Sequence, residues 1–315
     1  MVDSKQQWKA WLYLLPALIL LVIFTVWPIF NTVIMAFQED YNTLSAIKLG
    51  RWGFDIGFKN FRTVLQGDRF ITALRNTIIL CVPTVILSTF IALVISVCLN
   101  AIKPFQKFLQ TIYFLPYVTN SIAIGMVFAA MFNVVGNLSA ENAIPQNYGI
   151  INNLLMLLGL DWHNWINAGS SYESNMFVMI VYIVWNALPF KILVLLGALQ
   201  SVNKQYYDAA KVDGTGKIRT FTRITVPLLS PMITYVVITG FIGGFKEYTS
   251  VVGVFGDGMG PAGGKGRLNT IVGLIYDSIE RGDAGRASAA ALILFIIIFI
   301  VTMINLHISK KTTYY

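Results

Sequence analysis

Charged side chains are scarce in this 315-residue sequence, of which only 12% is Asp, Glu, Lys or Arg and 56% is hydrophobic. Soluble domains carry about 25% charged residues, and the mean hydropathy here is +0.66. This composition excludes a soluble globular domain. Because a lipid-facing helix needs about 20 apolar residues, the chain is long enough for six membrane-spanning helices with their loops.

Cysteine and histidine are nearly absent, at two residues each. Cys81 and Cys98 fall in one apolar run, and in a helix they would lie about 25 Å apart, which is too far for a disulfide. We interpret both as small core residues. His163 and His307 are isolated in the sequence, so no cluster of Cys and His predicts a metal site.

The sequence also lacks a nucleophile motif and a phosphate-binding loop. The segment 256–266, GDGMGPAGGKG, has Met259 where a Walker A motif needs its first glycine, and Gly266 follows the lysine. We therefore predict no catalytic residue and no cofactor bound by this chain. A membrane enzyme acting through intramembrane carboxylates remains an alternative.

Long apolar runs are what the sequence does contain. No small-residue cleavage site follows the first run, which indicates a retained span rather than a signal peptide. Pro116 predicts a kink within the third span. The six predicted spans are approximately 11–31, 71–99, 108–133, 175–199, 226–250 and 287–308.

Two shorter segments predict surface helices. Phe58, Phe61, Val64 and Leu65 share one helical face in the loop 38–70, which favours a short helix in the membrane interface. The stretch GIINNLLMLLGL in the loop 138–174 is apolar but too short to span a membrane. We expect it to pack as a helix on the outer face.

The placement of basic residues predicts the topology. The loop 138–174 contains no Lys or Arg, and the loop 253–286 is Gly-rich and balanced in charge. Both loops are therefore predicted outside, and both termini and the loop 200–225 in the cytoplasm. This bias explains the net charge of +8 without a nucleic-acid partner. The predicted cytoplasmic basic residues are Lys5, Lys9, Lys103, Lys107, Lys204, Lys211, Lys217, Arg219, Arg223, Lys310 and Lys311.

The segment 206–229, YYDAAKVDGTGKIRTFTRITVPLL, is the only strongly charged, helix-prone segment between two long apolar runs. We predict that Asp208, Ala209 and Ala210 open a short helix, which Asp213 and Gly214 end, because glycine adopts the positive φ that a sharp turn requires.

Beyond this turn, Phe221 and Ile224 recur at helical spacing before Pro227 re-enters the membrane. The segment therefore predicts a compact pair of short helices suited to docking into another protein. An ordinary amphipathic connector is the alternative.

This segment resembles the cytoplasmic EAA loop of binding-protein-dependent ABC importer permeases, E-A-A-x-x-D-G-A-x-x-x-x-x-F-x-x-I-x-L-P. The sequence here is D-A-A-x-x-D-G-T-x-x-x-x-x-F-x-x-I-x-V-P, without a gap. Its three departures are Asp208 for Glu, Thr215 for Ala and Val226 for Leu. In the family the carboxylate at the first of these positions contacts the ATPase subunit, and aspartate keeps the charge but reaches one methylene less.

Weaker similarities extend over most of the chain and resemble sugar-type permeases of the maltose-F or glycerol-phosphate-A kind. They comprise Phe61, Asn76-Thr77, Phe114-Leu115-Pro116, Trp185, FKEYTSV at 245–251, Gly260-Pro261, Asn269-Thr270, Tyr276 and Ala287-Ser288-Ala289.

The resemblance implies an all-α membrane protein with six transmembrane helices and the fold of an ABC type I importer permease. It implies a non-catalytic subunit in a bacterial or archaeal cytoplasmic membrane, working with a second, unlike permease, two ATPase subunits that bind the ATP, and an extracytoplasmic solute-binding protein, with a sugar as substrate. The implied ATPase-coupling residues are Asp208, Ala209, Ala210, Asp213, Gly214, Phe221, Ile224 and Pro227.

We accordingly divide the chain into a cytoplasmic N-terminus, a first span with its outer loop, a permease core of five transmembrane helices that includes the loop 200–225, and a cytoplasmic tail. These regions are 1–10, 11–70, 71–309 and 310–315.

Charged residues within spans are energetically costly and usually functional, and Lys191, Lys246 and Glu247 lie in or near the ends of spans. Lys191 points either into the bundle or towards the cytoplasm. Lys246 and Glu247 either pair at the outer interface, or Glu247 faces a glycine-lined patch. The family resemblance implies a sugar path formed by Tyr182, Asn186, Phe190, Gly244 and Glu247. A stand-alone ion-coupled carrier or channel is the rival interpretation.

Overall fold

The protein is mostly helical over residues 7–50, 53–102, 106–136 and 146–312, which are the residues that the computed structural model describes. Turns of π-helix at Val22–Val26 and Phe221–Thr225 join α1 to α2 and α11 to α12. The helices are α1 (Gln7–Leu21), α2 (Trp27–Phe37), α3 (Thr43–Leu49), α4 (Lys59–Leu65), α5 (Asp68–Ala101), α6 (Gln106–Val118), α7 (Ser121–Phe132), α8 (Gly149–Leu157), α9 (Tyr172–Ser201), α10 (Lys204–Val212), α11 (Lys217–Thr220), α12 (Val226–Phe245), α13 (Thr249–Phe255), α14 (Ile271–Glu280) and α15 (Ala284–Thr312).

Five helices in the described residues are long and apolar enough to cross a membrane, and they confirm five of the six predicted spans. They are Trp8–Phe37, Asp68–Ala101, Tyr172–Ser201, Lys217–Phe245 and Ala284–Ser309. The remaining predicted span, 108–133, was expected to be one kinked helix but consists of the two shorter helices α6 and α7. The break lies at Thr119 and Asn120, where the Asn120 side chain accepts a hydrogen bond from the Ile122 N–H and caps α7.

One compact unit comprises residues 1–70 and 274–295. The predicted interfacial helix is present as α4, and the ring of Phe37 at the end of α2 packs edge-on against Phe58, with ring centroids 5.4 Å apart. Asn60 is buried and donates to two backbone carbonyls at the end of α2. These contacts fix α4 against the end of α2.

The other unit comprises residues 71–273 and 296–315 and contains two buried hydrophobic clusters. One joins α5, α7, α9 and α13; its members include Leu80, Phe132, Met179, Tyr182 and Val251. The second joins α5, α9 and α12; its members include Leu93, Leu195, Leu196, Leu229 and Val236. Helices α5 and α9 are therefore the common scaffold of this unit.

Helices α7 and α13 approach most closely at two glycines. A β-carbon on Gly125 would lie 2.7 Å from the Gly253 Cα, and a β-carbon on Gly253 would lie 3.1 Å from the Gly125 Cα. Small residues allow such backbone contact between membrane helices. The two short helices therefore pack as a pair.

The two cysteines lie in different environments. Both are free, but only Cys81 is buried, and Cys98 is exposed. The prediction that both are core residues is wrong for Cys98, because 17 residues along a helix correspond to a rotation of about 260°, so the two side chains leave α5 on different faces. The predicted outer-loop helix is present as α8.

Candidate functional site

A cavity of about 290 Å³ lies within the unit of residues 71–273 and 296–315, among α5, α6, α9 and the end of α12. Its wall combines aromatic, glycine and polar residues. The polar and charged residues of the wall are Thr84, Ser88, Asn186, Lys191, Thr239 and Glu247.

The cavity lies at the middle of two long helices and at two helix breaks. Thr84 lies halfway along α5, and Asn186 halfway along α9. Tyr117, which also lines the cavity, precedes the break between α6 and α7, and α12 ends at Phe245 beside it. Interrupted helices near the bilayer midplane are a common way to build a transport site, because they bring backbone polar groups to the ligand.

A stacked pair of aromatic rings forms one side of the cavity. The rings of Tyr117 and Phe190 stack with centroids 5.8 Å apart and an interplanar angle of 19°. Stacked aromatic faces next to amide and carboxylate groups suit a ligand with both apolar C–H faces and hydroxyls.

Four of the five predicted substrate-path residues, Asn186, Phe190, Gly244 and Glu247, line the cavity. Tyr182 does not. It is fully buried behind the wall, and its hydroxyl donates to the Ser121 carbonyl over 2.5 Å. Its role here is to hold α9 against the start of α7.

Glu247 follows α12 and faces the cavity, while its Oε1 accepts a hydrogen bond from the Ser250 N–H over 3.1 Å at the start of α13. Lys246 is exposed and outside the cavity lining. The ion pairs among the described residues do not include Lys246 with Glu247. The geometry therefore favours the interpretation in which Glu247 faces the glycine-lined patch over the one in which it pairs with Lys246.

Lys191 points into the bundle. The residue is only 4% exposed. Its Nζ donates hydrogen bonds to Ser88 Oγ at 2.7 Å, Thr89 Oγ1 at 2.9 Å and the Val85 carbonyl at 3.3 Å. All three acceptors belong to α5. The sequence left two directions open because a lysine side chain can snorkel, and only the hydroxyl groups of a neighbouring helix decide between them.

The second candidate region is the loop between α9 and α12, which contains the EAA-like motif. Helix α10 begins at Lys204, because the side chain of Asn203 accepts a hydrogen bond from the Gln205 N–H and caps it. The prediction that Asp208, Ala209 and Ala210 open this helix is therefore wrong, since they lie in its interior. Ala210 is buried, and the exposed Asp208 carboxylate pairs with Lys211 Nζ at 3.0 Å.

The turn after α10 has the conformation predicted from the glycine. Gly214 has φ +66° and follows Asp213, which caps α10. The Thr215 N–H donates to the Ala210 carbonyl over 2.9 Å, and the Gly214 N–H to the Lys211 carbonyl over 3.1 Å. This pair of bonds is a Schellman motif, which glycine favours because it adopts positive φ without strain.

The second half of the loop is continuous with the fifth span. Helix α11, the π turn and α12 form one helix over Lys217–Phe245. The span predicted over 226–250 therefore begins and ends earlier than expected. The π turn at Phe221–Thr225 continues the helix across the predicted start, and the helix ends at Phe245. Pro227 lies inside this helix directly after the π turn, and such local irregularities allow a membrane helix to accommodate the N–H that proline lacks.

The side chain of Phe221 packs against the cluster of α5, α9 and α12. It anchors the loop to its own bundle, and Ile224 beside it is half-buried. The most exposed apolar side chains of the loop are different ones, Val212 at 87% and Ile218 at 82%. Sequence reasoning missed these two. The signal was available, because both are apolar residues next to the turn in an otherwise strongly polar stretch.

In the described part of the chain, no group of His, Cys, Asp and Glu could hold a metal ion.

Comparisons with known proteins identify the family of the chain. Residues 85–314 match the family described as the binding-protein-dependent transport system inner membrane component. The chain is 30% identical over 302 residues to the arabinooligosaccharides transport system permease protein AraP of Bacillus subtilis, covering 95% of this chain and 88% of the relative. It is 29% identical to AraP of Halalkalibacterium halodurans, covering 97% and 89%.

A solved structure shares the fold. A chain of a bacterial ABC transporter involved in the import of the acidic polysaccharide alginate superposes with a TM-score of 0.78, at 23% identity, over 99% of this chain and 98% of that chain. Because the family match covers most of the sequence and includes the loop at 206–227, the chain belongs to the binding-protein-dependent transport system inner membrane components, the permease subunits of ABC importers.

Proposed function

We propose that this chain forms half of the translocation path of an ATP-driven saccharide importer, in which a second, unlike permease forms the other half. The cavity carries this proposal. It lies at mid-helix depth beside two helix breaks, and its wall combines the Tyr117–Phe190 stack with amide, hydroxyl and carboxylate groups. Saccharides present C–H faces and hydroxyls together. The similarity to permeases named for arabinooligosaccharides supports the same substrate class.

The loop between α9 and α12 is the contact with an ATPase subunit in this proposal. The exposed Val212 and Ile218 supply apolar contact area on either side of the Gly214 turn, and Asp208 supplies a charge. Since α10 directly follows α9 and α11 runs into α12, movement of the loop rocks the two helices that wall the cavity. Two ATPase subunits, one for each permease, would close and open around ATP.

The orientation follows from the basic loops. Both termini and the loop 200–225 lie in the cytoplasm of a bacterium or archaeon, and a solute-binding protein delivers the saccharide from outside. ATP hydrolysis belongs to the partner subunits, as expected of a permease subunit.

An uptake assay tests this function. A strain lacking the chain is complemented with the wild type or with Glu247→Ala, and uptake is measured over a panel of neutral and charged saccharides. We expect the wild type to restore uptake of at least one saccharide, and Glu247→Ala to lower uptake while the purified complex keeps its ATPase subunits. Lys246→Ala is the matched control, because Lys246 is exposed and outside the cavity lining.

The rival carrier is tested with the chain alone. Liposomes that contain only this protein should move no saccharide, because the energy comes from the ATPase. Transport by the isolated chain would contradict the proposal and favour an ion-coupled carrier.

A further inference from the structure

We infer that Lys191 and Glu247 balance each other's charge across the cavity, and that this balance restricts the cavity to uncharged saccharides. The inference rests on the proposed function and deepens it by naming the substrate class. Lys191 thereby becomes a specificity-determining residue that acts through its charge.

The hydrogen bonds around Lys191 fit an ammonium ion. Ser88 and Thr89 each donate their own hydroxyl hydrogen to a carbonyl of α5, Ser88 to Thr84 and Thr89 to Val85. Both hydroxyl oxygens therefore direct lone pairs at Nζ and accept its hydrogen bonds. With the Val85 carbonyl they offer Nζ three acceptors, which match the three donors of an ammonium group.

No carboxylate forms an ion pair with Lys191 among the described residues. Its partners are neutral oxygens, so its hydrogen bonds are satisfied but its positive charge is not cancelled locally. A buried charge of this kind in a membrane protein is costly and is normally compensated by another charge or by function.

Glu247 supplies the opposite charge on another wall of the same cavity. It follows α12, whereas Lys191 lies on α9, and its carboxylate accepts a hydrogen bond from the N–H of Ser250. Lys191 and Glu247 are the charged side chains among the lining residues. The cavity lining therefore contains one basic and one acidic side chain that form no ion pair with each other, and their formal charges at neutral pH sum to zero.

This arrangement discriminates by ligand charge. At low local dielectric a charged ligand interacts strongly with fixed charges, and a uronate or an amino sugar would leave one unbalanced charge in the cavity. A neutral saccharide keeps the balance and can donate a hydroxyl hydrogen to Glu247. Because the three donors of Lys191 are already engaged by α5, the lysine contributes its field and not a ligand contact.

The test changes one charge at a time. The assembled permease–ATPase complex is purified into nanodiscs. The binding protein is left out, because it selects ligands itself. Dissociation constants are then measured for neutral arabinobiose, acidic digalacturonate and basic diglucosamine. We expect Glu247→Gln to shift the ratio of dissociation constants towards digalacturonate by about tenfold or more, and Lys191→Met to shift it equally towards diglucosamine. The double variant should prefer arabinobiose again.

Three controls separate this role from a purely structural one. Lys246→Gln removes a neighbouring exposed charge and should leave all ratios of dissociation constants as in the wild type. This variant also controls for the change in the net charge of the protein. Lys191→Arg keeps the charge and should keep the neutral preference. If the lysine only holds α9 against α5, its substitution would weaken the binding of all three ligands equally, with no change in the ratios of their dissociation constants.

The outcomes distinguish the two proposals. If the wild type binds arabinobiose but neither single variant changes the charge ratios, the inference about charge balance is wrong and the importer function stands. If Lys191→Met does not assemble, Glu247→Gln still decides the inference. A wild type that binds no disaccharide and restores no uptake would overturn the proposed function itself.

Discussion

Gly125 of α7 and Gly253 of α13 face each other with no space for a side chain between their backbones. Each glycine belongs to the short helix that follows a break, at Thr119–Asn120 in one case and at Lys246–Tyr248 in the other. The contact therefore ties the two broken segments together, and both breaks lie beside the candidate cavity.

A larger residue at this contact should separate the two helices. Gly125→Val places a branched side chain against the backbone of Gly253, and overpacking of this kind costs about 1–3 kcal/mol. We expect a lower thermal unfolding temperature of the detergent-purified complex and reduced saccharide uptake. Gly197→Ala is the control, because a β-carbon there meets nothing within 4 Å and should stabilise α9 slightly. Equal melting temperatures for Gly125→Val and the wild type would contradict the contact.

The Schellman turn gives the sharpest test of the coupling loop. Gly214→Val forces a β-branched residue to φ +66°, which costs about 1–2 kcal/mol for a residue with a side chain. We expect fewer ATPase subunits in the purified complex and loss of saccharide-stimulated ATP hydrolysis, while both permeases remain assembled.

Gly216 provides a matched control for that experiment. It lies two residues further on, has an ordinary φ of −65°, and a β-carbon there meets nothing within 4 Å. Gly216→Val should therefore keep normal coupling. If valine at 214 behaves like valine at 216, the loop is an ordinary connector and the coupling proposal is wrong.

Asp208→Ala should have a milder effect than Gly214→Val. It removes one exposed charge, while alanine favours the helix, and the lost pair with Lys211 contributes little to stability because both groups are exposed. We expect weaker ATPase binding at unchanged melting temperature. Lys211→Ala breaks the same pair but keeps the carboxylate, so it should bind the ATPase more tightly than Asp208→Ala. Equal losses in both variants would mean that the ion pair, and not the carboxylate, matters.

Labelling of single cysteines tests the topology. In a background without Cys81 and Cys98, cysteines at Lys204 and Arg219 should react with an impermeant maleimide only after the membrane is opened. A cysteine at Glu173, which is exposed at the start of α9, should react on whole cells. Glu141 is expected to behave like Glu173, although it lies outside the described residues. Labelling of position 204 from outside would reverse the predicted orientation.

Hydropathy and turn residues predicted most of the fold, because both act through local sequence. Long apolar runs gave five spans, and a glycine after a short helix gave the turn at Gly214. The break before Asn120 escaped prediction, since it depends on one capping side chain inside an apolar run.

The site was predicted less completely because it depends on contacts between distant helices. Asn186 and Glu247 were placed in the cavity by the family resemblance, whereas Tyr182 lies behind the wall because its hydroxyl finds Ser121. The direction of Lys191 depends on hydroxyls of a helix about one hundred residues earlier, at Ser88 and Thr89. No local pattern around the lysine contains that information.

The bonds of Lys191 also bear on how the chain enters the membrane. The hydroxyls of Ser88 and Thr89 donate to carbonyls of their own helix, so α5 can enter lipid alone without unsatisfied hydroxyl hydrogens. Helix α9 cannot, since a lysine near the middle of an isolated helix costs about 2.5–3.5 kcal/mol during insertion. Because α5 is synthesised first, its acceptors are already in the bilayer when α9 emerges. The order of α5 and α9 along the chain is thus the order in which their insertion is favourable.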